Sequence, residues 1–295
     1  MELFIAQGIN GCALGALYAL FGIGFGLVFA TMGILNAAQG SYASFGAIAG
    51  MFAAEAFELP FPFSLACGVM AAAGIAVMVD QLGFQPLRRR GAGMLGALIT
   101  SIAFWIILDS LAGFATGQQS LAFPPESWPD GMLYLGFVQL PVMQLVTISS
   151  LVAVAVGMHL LITRTRFGAA MRAVGYDPAA AALSGVNARN IAIATAALSG
   201  GISGLAGVLG AVTTANVSFM LGQSLMLKGF AAVVVGGYDD VRGTAIAGVA
   251  LGMLEVYCAQ YFSSSLRDGF TYALLLTFLM FRPRGLFGRA GFTRA

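Results

Sequence analysis

An all-α polytopic membrane protein is what this sequence predicts, and three observations predict it. Of 295 residues 59% are apolar and only 9% are charged, against about 25% charged in soluble domains. Apolar runs of roughly 20 residues recur along the chain, enough to carry a helix across about 30 Å of hydrocarbon. The 14 basic residues are grouped between those runs instead of being spread over a surface.

The groups set the path. No Lys or Arg precedes Arg88; then come Arg88, Arg89 and Arg90, then Arg164, Arg166, Arg172 and Arg189, then Arg242, then Arg282, Arg284, Arg289 and Arg294. Only Lys228 and Arg267 stand apart. Basic loops stay on the cytoplasmic side. Segment 9–31 therefore crosses inward and 36–57 returns, with "ELPFP" turning the chain outside. Segment 63–82 leads in to "GFQPLRRRGAG", and 94–115 leads out to the loop "TGQQSLAFPPESWPDG", rich in turn formers. Segment 141–162 comes back to a basic stretch at 163–190. Beyond it 191–212 goes out, the short 225–237 comes in to "GGYDDVRG", 243–262 goes out, and 266–281 ends at the basic tail.

This path makes about nine transmembrane or partly spanning helices, with the N-terminus outside and the C-terminus inside. It places 12 of the 14 basic residues inside, and Glu58, Glu126, Asp130 and Asp268 outside. Segment 225–237 is too short to cross unaided and is expected to be broken or tilted. One transmembrane domain, 1–295, is expected. The opening "MELFIAQGIN" has an acid where a secretion leader has basic residues, so no cleaved leader is expected.

Glycine pairs spaced by four recur inside the spans: Gly11 and Gly15, Gly22 and Gly26, Gly46 and Gly50, Gly200 and Gly204, Gly248 and Gly252. They let helix backbones approach where lipid gives no hydrophobic drive to associate. The likeness of "GAIAGM" at 46–51 to "GVALGM" at 248–253 hints at an internal repeat.

Several chemistries are missing. The single lysine, Lys228, precedes a glycine, so no phosphate-binding G-x-x-x-x-G-K-[ST] loop exists. His159 is the only histidine and is expected at the inner end of its span, which removes His-ligated metal clusters and argues against a Ser-His-Asp triad. Cys12, Cys67 and Cys258 lie in apolar runs without metal or redox spacing. No catalytic role, resident metal or cofactor is expected, and any ATP would be bound by partner subunits.

The polar anomalies remain. A charged acid at bilayer centre costs on the order of 3 kcal/mol and so faces protein or water. Glu255, in "LGMLEVYCAQYF", is the most central acid and a candidate for the translocation path or for a helix–helix hydrogen bond. Asp80 and Asp109 lie nearer helix ends and read as structural. In "ILNAAQGSYASFG", Asn36, Gln39 and Ser41 gather where a span begins and Gly40 loosens it. They have no evident partner in their own segment, and a water-lined path would satisfy them.

The stretch "RTRFGAAMRAVGYDPAAAALSGVNARN" is the main interruption. Asp177 before Pro178 starts a helix, Ala180 and Ala181 lie inside it, and Gly185 ends it in a left-handed cap. Isolated helices this short are unstable. Something must hold this two-turn, small-residue peg, either its own bundle or a partner's groove.

This stretch resembles the cytoplasmic coupling loop of ABC importer permeases, specifically the branched-chain amino-acid (LIV-type) family and its sugar-importing cousins. So do "GALYALFGIGFGLVFATMGILNAAQGSY", "LSGGISGLAGVLGA", "LKGFAAVVVGGYDDVRGTAIAGVALGMLE" and "FRPRGLFG", in the family's order. Ala180, Ala181 and Gly185 match the E-A-A-x-x-x-G coupling motif, with Ala179 in place of its glutamate. "NAAQGSYASFG" departs from the family's N-F-A-H-G-E. The resemblance implies a permease subunit of a binding-protein-dependent importer in the bacterial inner membrane. Its partners would be a second homologous permease, two cytoplasmic ATPases and a periplasmic substrate-binding protein; nucleic acid is not among them. Arg172, Asp177, Ala180, Ala181 and Gly185 would carry ATPase coupling, and Asn36, Gln39, Ser41 and Glu255 the translocation path. Branched-chain or related amino acids would be the cargo; urea, short amides or another small solute, or an ion-coupled secondary transporter, are the alternatives.

Overall fold

The computed structural model describes residues 2–91, 93–124, 128, 131–135, 138–238, 240–262, 267–282 and 285–286. All nine expected segments are helical, with ends set by local chemistry. Helix α1 (Glu2–Met32) is 31 residues long, about 46 Å, and starts well before residue 9. Helix α2 (Gln39–Phe57) begins three residues later than expected, after a non-helical 33–38. Helix α3 (Phe61–Val79) runs through a π-helical turn (Asp80–Phe84) into α4 (Gln85–Arg89). Pro86 explains the widened turn: it cannot donate to residue 82, and Gln85 N–H bonds to the Asp80 carbonyl instead. Helix α5 (Met94–Ala115) matches its expected span residue for residue.

The loop after α5 carries a hairpin that the turn formers did not announce, β1 (Met132–Leu135) paired antiparallel with β2 (Val138–Pro141), Leu133 opposite Leu140. Helix α6 (Val142–Arg164) follows, then two short helices, α7 (Arg166–Tyr176) and α8 (Pro178–Leu183). The bundle is completed by α9 (Ala188–Thr213), α10 (Leu221–Gly236), α11 (Val241–Tyr261) and α12 (Arg267–Phe281). Among the described residues six helices are long and apolar enough to cross a membrane: α1, α3 with its extension, α5, α6, α9 and α11. The 16 residues of α10 and 15 of α12 reach only about 24 and 22 Å. Glu126, Asp130, Arg284, Arg289 and Arg294 lie outside the described residues.

Burial orders the layers. In α1 and α9, 83% and 72% of the apolar window is enclosed, against 17% in α5 and in α6. The two enclosed helices cross antiparallel: Gly24 lies beside Ser199 and Ser203, and Leu17 beside Gly210. Around them the bundle repeats itself. α1 packs on α11 as α9 packs on α3, α1 on α10 as α9 on α2, and α2 on α3 as α10 on α11. Glycines mark equivalent places. A Cβ at Gly11 or Gly15 would strike the backbone of α11 at Met253 or Gly248, and one at Gly200 or Gly204 would strike α3 at Ala72 or Gly68. The core of the molecule is therefore two three-helix units of opposite direction, α1–α3 and α9–α11, an arrangement common in transporters.

The two resembling hexapeptides do not express this repeat, because 46–51 belongs to α2 and 248–253 to α11, which are not equivalent. Each serves a close approach, Gly46 to Gly204 and Gly248 to Ala19. That requirement alone makes them alike.

On the axis of the repeat the first turns of α2 and α10 touch. A Cβ on Gly222 would overlap the Gly40 carbonyl, and one on Gly40 would come within 2.9 Å of the Gly222 carbonyl. Backbone cannot be swung aside as a side chain can. Gly222→Val should cost about 3 kcal/mol or more, seen as lost thermal stability of the detergent-solubilised protein. Gly74→Ala, on an exposed face of α3 with no neighbour within 4 Å, should be silent; equal losses in the two variants would contradict the contact.

Candidate translocation path and coupling helix

The turn that precedes α2 is built by its own residues. Gly33, at φ 66°, lets the chain leave α1. Asn36 Oδ1 then accepts from Ala38 N–H at 3.1 Å, and its Nδ2 donates to Tyr42 Oη at 3.1 Å. Gln39 Nε2 donates to Ser199 Oγ and Ser203 Oγ, both at 2.6 Å, while Ser199 Oγ donates to the Gly24 carbonyl. Residues 33–38 thus run back beside α1 from Met32 to about the level of Gly24, some 12 Å. Ser41 Oγ donates to Asp109 Oδ1 at 2.7 Å, and Trp105 Nε1 donates to Oδ2 at 2.6 Å. Ser44 Oγ accepts from Gly222 N–H and donates to the Phe219 carbonyl.

Asn36, Gln39 and Ser41 are all buried, at 4%, 0% and 1% exposure. Asn36 does find a partner within its own segment, contrary to expectation, and the other two find theirs on α9 and α5. Protein, as usual for buried polar groups, satisfies them. What is left over is one atom: Gln39 Oε1 has no partner among the described residues.

Glu255 is also buried, at 1% exposure, and its environment was not foreseen. Lys228 Nζ lies 2.6 Å from Glu255 Oε1 and 2.9 Å from Asp268 Oδ1. Arg267 Nε donates to the same Glu255 oxygen. The Lys228 ammonium stands 5.4 Å from the centre of the Tyr18 ring. Two cations and two carboxylates from α10, α11 and α12 therefore cancel in a cluster that runs from buried Lys228 and Glu255 to the more open Arg267 and Asp268, with Glu255 Oε2 unpartnered among the described residues. The two basic residues outside the arginine groups belong together, and Asp268, expected in an outer loop, opens α12 beside them. A signal existed: a lone lysine and a lone glutamate, each inside an apolar helix, each need a counter-charge.

At the arginine-rich end, Asp80 forms a two-pronged ion pair with Arg88, at 2.8 and 3.0 Å, in agreement with a structural role. Arg189 Nη2 donates to Gln81 Oε1 on the π-helical turn, and Arg242 Nη2 donates to His159 Nε2 at 2.6 Å.

The interruption between α6 and α9 is more ordered than a loop with one peg. Thr165 Oγ1 accepts from Gly168 N–H and caps α7. Gly168 packs under the carbonyls of Leu161 and Ile162, and Arg172 Nη1 donates to the Ile162 carbonyl. Gly175 meets the Ala30 carbonyl at the end of α1. Helix α7 is amphipathic, with Met171 and Val174 buried, a period readable in the sequence but hidden by its arginines. Asp177 then caps α8, accepting from Ala179 and Ala180 N–H at 2.8 and 3.1 Å. Gly185, at φ 82°, closes α8 with Val186 N–H on the Ala181 carbonyl. Ala181 is the one buried residue of α8, and Ala180 is exposed. Two bulky apolar side chains flank the helix unused, Tyr176 at 77% and Leu183 at 91% exposure.

Comparison with known proteins bears on the whole chain. Residues 8–279 match the family described as branched-chain amino acid transport system, permease component. The high-affinity branched-chain amino acid transport system permease protein BraD of Pseudomonas aeruginosa is 28% identical over 97% of this chain and 96% of its own. LivH of Escherichia coli K12, with the same description, is similar to the same extent. A probable LivH of Methanocaldococcus jannaschii is 25% identical over 92% of this chain. No solved structure matches. With an opposed pair of three-helix units, a short capped helix that presents an exposed face, and a family match over nearly its full length, the chain belongs to the permease components of branched-chain amino acid transport systems, multi-pass membrane subunits of ABC importers.

Proposed function

We propose that this permease imports branched-chain or similarly small aliphatic amino acids across the bacterial inner membrane. It pairs with a second, homologous permease, takes cargo from a periplasmic binding protein and is driven by two cytoplasmic ATPases that dock on α8. The N-terminus lies outside, and α7, α8 and the arginine groups lie inside. The observation that carries this reading is α8 itself. Caps at Asp177 and Gly185 hold a two-turn helix whose Leu183, with the neighbouring Tyr176, faces away from the bundle. Such side chains are suited to a groove in a cytoplasmic partner, and Gly175 against Ala30 ties their motion to the end of α1.

The path itself runs beside the break between α1 and α2. Asn36, Gln39 and Ser41 are neutral, and the charges around Glu255 are mutually cancelled, so no net charge is offered to a charged solute. A zwitterion with a small aliphatic side chain suits such a route, held weakly and selected by the external protein. Gln39 Oε1 and Glu255 Oε2 are the acceptors left for it as the units move.

The test is uptake of labelled leucine by the complete transporter in vesicles. Isoleucine and valine should compete, lysine and glutamate should not, and the purified single chain should hydrolyse no ATP. Urea or acetamide driving ATP turnover where leucine does not would move the cargo to the small amides. Hydrolysis by the single chain would remove the ABC-partner reading altogether.

A further inference from the structure

A second feature lies on the flank formed by α11 and α12, and reaches the path residues only at Glu255. The two helices diverge to leave a cavity of about 700 Å3. Its walls are Leu254, Phe270, Leu274 and Phe278, and it ends at Arg282 in one direction and at Thr271 and Glu255 in the other. From Thr271 to Arg282 is eleven helical residues, about 16 Å. That is one leaflet of a bilayer whose hydrocarbon is about 30 Å thick. We infer that this groove is a lipid site, in which an anionic glycerophospholipid pairs its phosphate with Arg282 and lays one acyl chain along α12 toward Thr271.

Three observations favour a lipid over a helix of the partner permease. Arg282 is exposed and meets no carboxylate among the described residues. The chain continues from it with Arg284, Arg289 and Arg294, and a basic cluster at a helix end attracts anionic headgroups. No glycine lines the groove, whereas the close helix crossings of this protein, α1 on α11, α2 on α9 and α9 on α3, are made at glycines. Walls of Leu and Phe leave channels between side chains that a flexible chain fills and a helix backbone cannot approach.

The groove's far end is closed by the ion cluster, so the same charges that hold α12 set how deep the chain can reach. The lipid would brace α12 against α11 where α12 is too short to span unaided.

The experiment uses the assembled transporter in phosphatidylcholine nanodiscs containing a little phosphatidylglycerol with a photoreactive acyl chain. Cross-links should concentrate on peptides of α11 and α12. Arg282→Ala should lower them about fivefold, the worth of one basic residue near an anionic surface, and Arg282→Lys should restore them. Leu274→Trp, which fills the groove, should remove them while Arg282 remains; assembly of each variant is checked by size-exclusion chromatography. Equal labelling by a phosphatidylcholine probe, or labelling unchanged in Arg282→Ala, would overturn the site. So would Leu274→Trp releasing the partner permease while labelling persists, since the groove would then be a protein interface. These readouts are independent of cargo and of ATP turnover, so they stand or fall apart from the proposed function.

Discussion

Lys228→Met alone should lose far more stability than Lys228→Met combined with Glu255→Leu. Removing one partner leaves a buried charge without its counter-ion, which costs about 3–5 kcal/mol, whereas apolar replacement of both partners is often neutral. Here the single change strands Glu255 at 1% exposure with Arg267 as its one remaining ion-pair partner among the described residues, and leaves Asp268 without Lys228. The double change removes one charge of each sign. Arg267 and Asp268 remain, neighbours at the more open end of α12, so the cluster stays neutral. Thermal unfolding in detergent, followed by the fraction still monodisperse, reads the order wild type, double, single. A double variant as unstable as the single would show that Lys228 and Glu255 are not held as a pair.

Ala181→Pro should abolish coupled transport while leaving the bundle folded. Proline at 181 removes the bond from its N–H to the Asp177 carbonyl and crowds that carbonyl. In a helix interior this costs about 3 kcal/mol or more, and a six-residue helix has no reserve to absorb it. Helix α8 packs only on α7 and α9 among the larger contacts, so the damage stays local. Two gentler variants separate shape from surface. Gly185→Ala meets no atom within 4 Å but forces an L residue to φ 82°, a strain of about 1–2 kcal/mol, and should weaken coupling in part. Leu183→Asp leaves the backbone intact and should lower ATPase co-purification. Normal leucine-stimulated turnover in Ala181→Pro would place coupling elsewhere on the inner face.

Local chemistry is legible in the sequence. The caps of α8, the glycine crossings and the span of α5 depend on residues within a few positions of one another, and so does the interrupted start of α2. What could not be read is what joins distant segments. Gln39 meets Ser199 and Ser203 across 160 and 164 residues, and Ser41 meets Asp109 across 68. Side chains that look unpartnered along one helix are satisfied by another, so an isolated polar residue predicts burial more safely than it predicts water. Helix α7 was missed for a different reason. Its apolar stripe carries only two large buried side chains, Met171 and Val174, three residues apart, and arginines at 166 and 172 make the segment read as loop.

The pairing of α1 with α11 has a consequence for how the protein is made. Gln7 bonds to Gln260, and Tyr257 to the Phe4 carbonyl, each across 253 residues. A ribosome adding about 5–20 residues per second needs roughly 10–50 s between delivering one face and the other. Throughout that interval the first helix lies in the membrane with the backbone at Gly11 and Gly15 uncovered, a strip any other glycine-faced helix fits. Premature partners must therefore be kept away until the eleventh helix emerges, and a chain truncated before residue 241 should be a target for membrane quality control, not an inert fragment.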